Sequence, residues 1–355
     1  MPWNELLGHK EIAERFRAAL AEGRLAHTFL FVGPEGIGKR SFALGLAKAL
    51  LCQRRAVELL DPCGECSGCV QVAAGTHPDL IIIGRPPGKS EIPVGILKGD
   101  DTFPVEQSLL FNLGLRPFYG GRKVAILDDA DYLNVAGANC LLKTLEEPPP
   151  ASVLILISTS AEKQLPTIRS RAQLVRFRPL TEEQVSKLLL EREIVSDVTE
   201  AKKLAALAGG SLTRAAELTD AALWEFRREM LKQLGQGMTS STALAAATIR
   251  FVDEAGKEAP LRRARLRTTI GFAADFFRQL VRRLSRLSPE GDAELIAAVE
   301  SAAKHGRWDL ESASEAVERC LEAATQVDRN ANQHTLIEAW LDELASVRWA
   351  VGSGQ

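Results

Sequence analysis

Between Gly33 and Ser41 the chain reads GPEGIGKRS, a spacing of glycines and lysine that can hold phosphate. Gly33, Gly36 and Gly38 let backbone N–H groups turn toward phosphate oxygens, and Lys39 meets the terminal phosphates. The next position of such a loop carries a hydroxyl that helps hold Mg²⁺, but here it is Arg40, which has donors only and no lone pair for a metal. Ser41 follows one residue later, about 100° away around a helix. A second constellation, LDDAD, ends an apolar run with Asp128 and Asp129. An acid at such a strand end orders Mg²⁺ through water, the role that fits Asp128. Asp129 stands where a glutamate polarises the attacking water, and its carboxylate is shorter by one methylene, about 1.5 Å. A solvated acidic turn is the competing reading of this pair. The sequence therefore has the parts of an ATP/Mg site, with two departures that argue against efficient hydrolysis.

Cys52, Cys63, Cys66 and Cys69 form the other cluster with chemistry. Two linked C-x-x-C steps and an upstream thiol match the ligand set of a structural tetrathiolate zinc site, in which a closed shell stabilises and does not catalyse. A redox pair or a disulfide is the alternative, disfavoured in a chain that opens without an export signal. His77 nearby reads as a packing or hydrogen-bonding residue, and Cys140 and Cys320 as small buried residues.

The elements that must position these residues follow from patterning. KEIAERFRAALAEG is an amphipathic helix with Ile12, Phe16 and Ala19 on one face. HTFLFVG is a buried strand leading into the phosphate loop, and RSFALGLAKALLC is the helix after it, running to Cys52. DLIIIG, KVAILDDAD and VLILIST are three more apolar strands, which predicts a parallel sheet covered on both faces. RPPGKSEIPVGILKGDDTFP reads as an exposed loop. Beyond residue 178 the pattern is helical, with breaks at Pro260 and at Ser288-Pro289. A length of 355 residues predicts two or three domains, and 46% hydrophobic with 25% charged residues describes an ordinary globular chain. A net charge of −2 excludes a globally basic nucleic-acid binder while leaving a local basic face open. With no signal-peptide core at the start and no run of membrane-spanning length, the expected location is cytoplasmic, with no membrane partner.

Five segments in order carry a resemblance: AHTFLFVGPEGIGK, CGECSGC followed by GTHPD, RPFYGGRKVAILDDAD, ANCLLKTLEEPP and LPTIRSRA. Together they resemble the delta-prime family of bacterial DNA polymerase III clamp-loader subunits, within the AAA+ superfamily. The resemblance covers about residues 5 to 215 closely and continues more weakly through RNANQHTLIEAWLDELA. It implies an α/β AAA+ P-loop core over 1–178 with an inserted zinc module at 52–69, a small helical lid over 179–220 and an all-α collar over 221–355. It also implies partners: gamma/tau motor subunits, a delta subunit, the sliding clamp indirectly, and primed DNA through the complex. Ser170-Arg171 matches the family's Ser-Arg-Cys motif with Ala172 in place of cysteine, so Arg171 is implied to reach a neighbour's ATP site as an arginine finger. Thr159 falls near the polar sensor position of AAA+ sheets. The lid arginine that follows Gly210-Ser211 is displaced by one residue, to Arg214, relative to the motor subunits. The reading that results is a stator for ATP-dependent clamp loading. An active motor subunit and a remodelling factor outside replication are the alternatives.

Overall fold

Three strands of the chain are buried from end to end, with apolar interiors covered on both faces. They are β1 (Thr28–Val32), β3 (Lys123–Leu127) and β4 (Ser152–Ser158). With β2 (Leu80–Ile83) and β5 (Gln173–Arg176) they make a wholly parallel sheet in the order β2-β3-β4-β1-β5. The computed structural model describes residues 8–350 except 88, 120, 239, 306, 307, 329 and 330, and it separates into two compact units, Met1–Thr219 and Asp220–Gln355.

The period-two alternation of β1 sorts its side chains between two cores. Phe29 and Phe31 join Phe16, Phe42 and Phe177 on one face, while Leu30 and Val32 join Leu127, Leu141 and Leu156 on the other. On the first face the rings meet edge-on or tilted, as in Phe31 against Phe42 (5.8 Å between centroids) and Phe42 against Phe177 (5.2 Å). The helix Lys10–Ala21 covers this face through Ala13, Phe16 and Leu20; of the predicted stripe Ile12, Phe16 and Ala19 only Phe16 is buried, while Ile12 and Ala19 lie half-buried one residue from the observed stripe. Val135–Glu146 covers the opposite face through Ala138, Leu141 and Leu145.

Two segments correct the sequence reading. The stretch expected to be an exposed loop contains the short helix Val94–Lys98, and Ile92 and Leu97 are fully buried in the second core. Isolated apolar residues among Pro, Gly and charges carry too little periodicity to announce this. β5 was not expected at all: QLVR is short, mostly exposed, and paired with β1 alone at the sheet's edge.

Three helices close the first unit: Glu182–Glu191, Val198–Leu207 and Leu212–Glu217. The first begins with a capping box, Thr181 accepting from the Gln184 N–H while the Gln184 side chain accepts from the Thr181 N–H. The second unit is helical over its described residues: Ala221–Gly235, Ser241–Asp253, Ala259–Leu284, Ala293–Lys304, Leu310–Asp328 and Gln333–Ala350. Its core includes Phe276, Phe277 and Trp340, and the buried Arg227 is held by Asp292 at 2.6 Å. Pro260 stands in the first turn of its helix, where its missing N–H has no partner to lose. Among the described residues no helix is long and apolar enough to cross a membrane.

Candidate functional site

The phosphate loop lies between β1 and the helix Lys39–Leu50, and its shape depends on glycine at two positions. Gly38 is the residue before the helix and has φ 97°, a left-handed conformation that leaves the first N–H groups of the helix uncovered. Gly36 has φ 74°, and a Cβ there would drive into Ser211 and Thr213. Its carbonyl accepts from the Leu212 N–H at 2.9 Å, so the last of the three helices begins directly on the loop. His9 supports the loop from the other side: its Nε2, carrying the proton, donates to the Ile37 carbonyl at 2.7 Å while its ring meets Phe177 edge-on. Burial pushes this imidazole below its usual pKa, and the Lys39 ammonium adds to the effect against the Ile37 carbonyl.

A cavity of about 290 Å³ opens beside the loop. Gly36, Gly38, Lys39, Arg40, Ser41, Asp128, Asp129 and Thr159 all line it, whereas Gly33 lies outside the lining and touches the site only through its carbonyl, which accepts from Lys39. Lys39 is only 6% exposed, and its Nζ donates to the carbonyls of Gly33 and Pro34, the latter at 2.6 Å. Burial draws its pKa down, opposed by Glu35, Asp131, Asp128 and Asp129. Arg40 does not take the place of a metal ligand: its Nη1 lies 3.0 Å from Asp128 Oδ2. The other Asp128 oxygen accepts from the Asp129 N–H at 3.1 Å. Asp129 sits at φ 56°, and burial, then the Asp128 carboxylate, raises its pKa.

Thr159 does not face the cavity with a free hydroxyl. Its Oγ1 and its N–H both donate to Asp131, which also accepts from Ser158 Oγ and lies 3.6 Å from Lys163 Nζ. Asp131, the third acid of LDDAD, thus ties the end of β4 to the loop after β3. It was legible as part of the acidic run. His9 and Arg192, which also line the cavity, had no comparable signal, because each is brought there from an element remote in sequence. Arg214 lies outside the lining.

Arg171 also lies outside the lining. It follows the short helix Pro166–Arg169 and leads into β5. Its Nε and Nη2 donate to Glu146 Oε1 at 2.9 and 2.6 Å, and its Nη1 donates to the Thr167 carbonyl and to Ser170 Oγ. Glu146 is the last residue of Val135–Glu146, so LLKTLEEPP and LPTIRSR meet through one ion pair.

The four cysteines converge as the spacing predicts, with all their Sγ atoms within 4.8 Å of one another. Cys52–Cys63 is 3.7 Å, Cys63–Cys69 3.9 Å and Cys52–Cys66 4.0 Å. Four thiolates at about 2.3 Å from a tetrahedral zinc stand about 3.8 Å apart, so the donor set and its spacing fit that ion. The Cys66 N–H donates to Cys63 Sγ at 3.3 Å, and donation from Cys66 and Glu65 brings the Cys63 thiol down to about 6. Burial pushes the Cys69 thiol up to about 12, an effect a dication opposes. Cys66 caps the helix Ser67–Ala74, accepting from the Cys69 N–H at 3.4 Å, so one turn positions three of the four ligands. His77 stands apart, its Nδ1 accepting from the Asp79 N–H.

Residues 8–181 match the family described as DNA polymerase III, delta subunit. Over 210 residues the chain is 40% identical to DNA polymerase III subunit delta' of Pseudomonas aeruginosa, covering 58% of this chain and 60% of that protein. Over 246 residues it is 32% identical to DNA polymerase III subunit tau of Escherichia coli, covering 68% of this chain and 35% of the relative. The chain thus spans less than two thirds of the relatives it matches. Among solved structures, a gamma subunit-related protein of Thermotoga maritima aligns with 94% of this chain and 99% of its own, at 17% identity and a TM-score of 0.43. The parallel sheet, phosphate loop and sequence match define a phosphate-loop α/β protein of the AAA+ class. Within that class the chain belongs to the clamp-loader family, as a delta- or delta-prime-like DNA polymerase III subunit.

Proposed function

We propose that this chain is a delta-prime-like stator of the DNA polymerase III clamp loader. It supports ATP-dependent loading of a sliding clamp onto primed DNA by giving Arg171 to a neighbouring motor subunit. One contrast carries the reading: the chain's own cavity has Arg40 bonded to Asp128 where hydrolysis needs a metal, while Arg171 stands clear of that cavity, one third exposed. A guanidinium supplied in trans stabilises charge on transferred phosphoryl oxygens whether or not its own subunit hydrolyses anything. In this reading residues 1–178 are the nucleotide core, 179–220 a lid seated on the loop through Gly36, and 221–355 an assembly collar. The gamma/tau and delta subunits are its partners, and zinc holds the 52–69 module. Lys39 and the loop N–H groups retain the capacity to bind a phosphate chain.

The test is ATP hydrolysis by the complex reconstituted from motor, delta and this chain, comparing wild type with Arg171→Ala. A fall of about a hundredfold or more at the served site, with no hydrolysis by this chain alone, is the expected result. Unchanged activity of the complex would remove the finger; robust activity of the isolated chain would make it a motor.

A further inference from the structure

We infer that the loop cavity binds a nucleoside di- or triphosphate without a divalent metal, the Arg40 guanidinium standing in for the ion. The inference rests on the reading of GPEGIGK as a phosphate loop and goes further in naming the form of the ligand. Mg²⁺ in such a site needs an oxygen from the loop and a carboxylate able to order its waters. Position 40 offers no lone pair, and its side chain spans to Asp128 at 3.0 Å. Both Asp128 oxygens are already engaged, one by Arg40 and one by the Asp129 N–H. The positive charge that Asp128 would otherwise recruit is covalently part of the chain.

The remaining features suit a phosphate chain. Three cations, Lys39, Arg40 and Arg192, line the cavity beside four carboxylates, Glu35, Asp128, Asp129 and Asp131, of which Asp128 is paired with Arg40 and Asp131 with Lys163. Arg40 is mostly exposed while Asp128 is mostly buried, so the guanidinium can keep one edge on the carboxylate and turn the other to a phosphate oxygen. Lys39 bonds neutral loop carbonyls, for which a phosphate anion can substitute as a charged acceptor. Leu180, Leu188 and Leu212 supply an apolar wall for a nucleoside, and about 290 Å³ is at the lower end of ligand-pocket volumes. A nucleotide held this way lacks the metal that phosphoryl transfer requires, so it is a resident ligand and not a substrate.

Equilibrium binding of fluorescent ADP and ATP to the purified full chain, in excess EDTA and in excess Mg²⁺, decides the matter. The wild-type Kd should differ by less than about threefold between the two conditions. Arg40→Ser should bind about tenfold more weakly in EDTA and regain affinity with Mg²⁺. Lys39→Ala should lose binding in both. Wild-type binding only with Mg²⁺ would overturn the role of Arg40 while leaving the phosphate loop in place. Absence of binding in both conditions, by a chain with a native unfolding transition, would overturn the site altogether. Undiminished binding by Lys39→Ala would place the nucleotide elsewhere, and displacement by inorganic tripolyphosphate as readily as by ATP would reduce the ligand to a bare phosphate chain. None of these outcomes touches the Arg171 comparison in the complex, so the stator reading stands or falls separately.

Discussion

Arg171 is gripped along one edge by Glu146, whose Oε1 accepts from both Nε and Nη2, while the opposite nitrogen is tied to the Thr167 carbonyl and Ser170. The side chain of the implied finger is therefore oriented before any neighbour arrives. The pair is 34% and 51% exposed, so solvent screening limits it to below about 1 kcal/mol. A contact that weak can orient an arginine and still yield it to a phosphate.

Glu146→Ala should then slow ATP hydrolysis by the reconstituted complex by no more than about fivefold, the kinetic equivalent of 1 kcal/mol, against a hundredfold or more for Arg171→Ala. The unfolding midpoint of Glu146→Ala should stay within about a degree of wild type, since the pair is a surface one. A Glu146 variant as damaged as Arg171→Ala would mean that the carboxylate does more than orient.

Metal analysis of the purified protein should return about one zinc per chain. Cys66→Ala should lower the unfolding temperature by several degrees, because it removes both a ligand and the cap of Ser67–Ala74. Chelation of the wild type should reproduce the shift. A metal-free protein that unfolds where the loaded one does would refute the structural role.

Asp79 and Lys123 form a buried pair at 3.2 Å, their side chains 1% and 6% exposed, and Asp79 also accepts from the N–H groups of Phe118 and Tyr119. Lys123→Met leaves a buried carboxylate without its counter-charge and should destabilise the first unit by about 3–5 kcal/mol. Denaturant unfolding measures it. A loss under about 1 kcal/mol would show that the backbone N–H groups alone satisfy Asp79.

His9 gives a pH dependence of definite sign. Its folded pKa lies below the usual 6.5, so in acid the unfolded chain binds the proton first. Its contribution is fully present above about pH 6.5 and is lost as pH falls through the lower, folded value. His9→Gln should flatten the acid limb of the stability profile between those points, and an unaltered limb would assign it to other groups.

What the sequence alone settled is chemistry carried by neighbours along the chain. GPEGIGK, CGECSGC and the apolar runs of β1, β3 and β4 act through local backbone geometry and period-two burial, so residue type and spacing suffice to read them. The edge strand β5 and the helix Val94–Lys98 escaped because what holds them is pairing and burial against remote residues, not their own pattern. Tertiary structure also decided the partners of the charged groups. Position 40 announced the loss of a metal ligand, but only folding placed its guanidinium on Asp128, 88 residues away, and set Glu146 on Arg171 and Asp131 on Thr159. A charge at the end of a long flexible side chain has many candidate counterparts in a sequence. The sheet order and the packing of helices on its faces select among them.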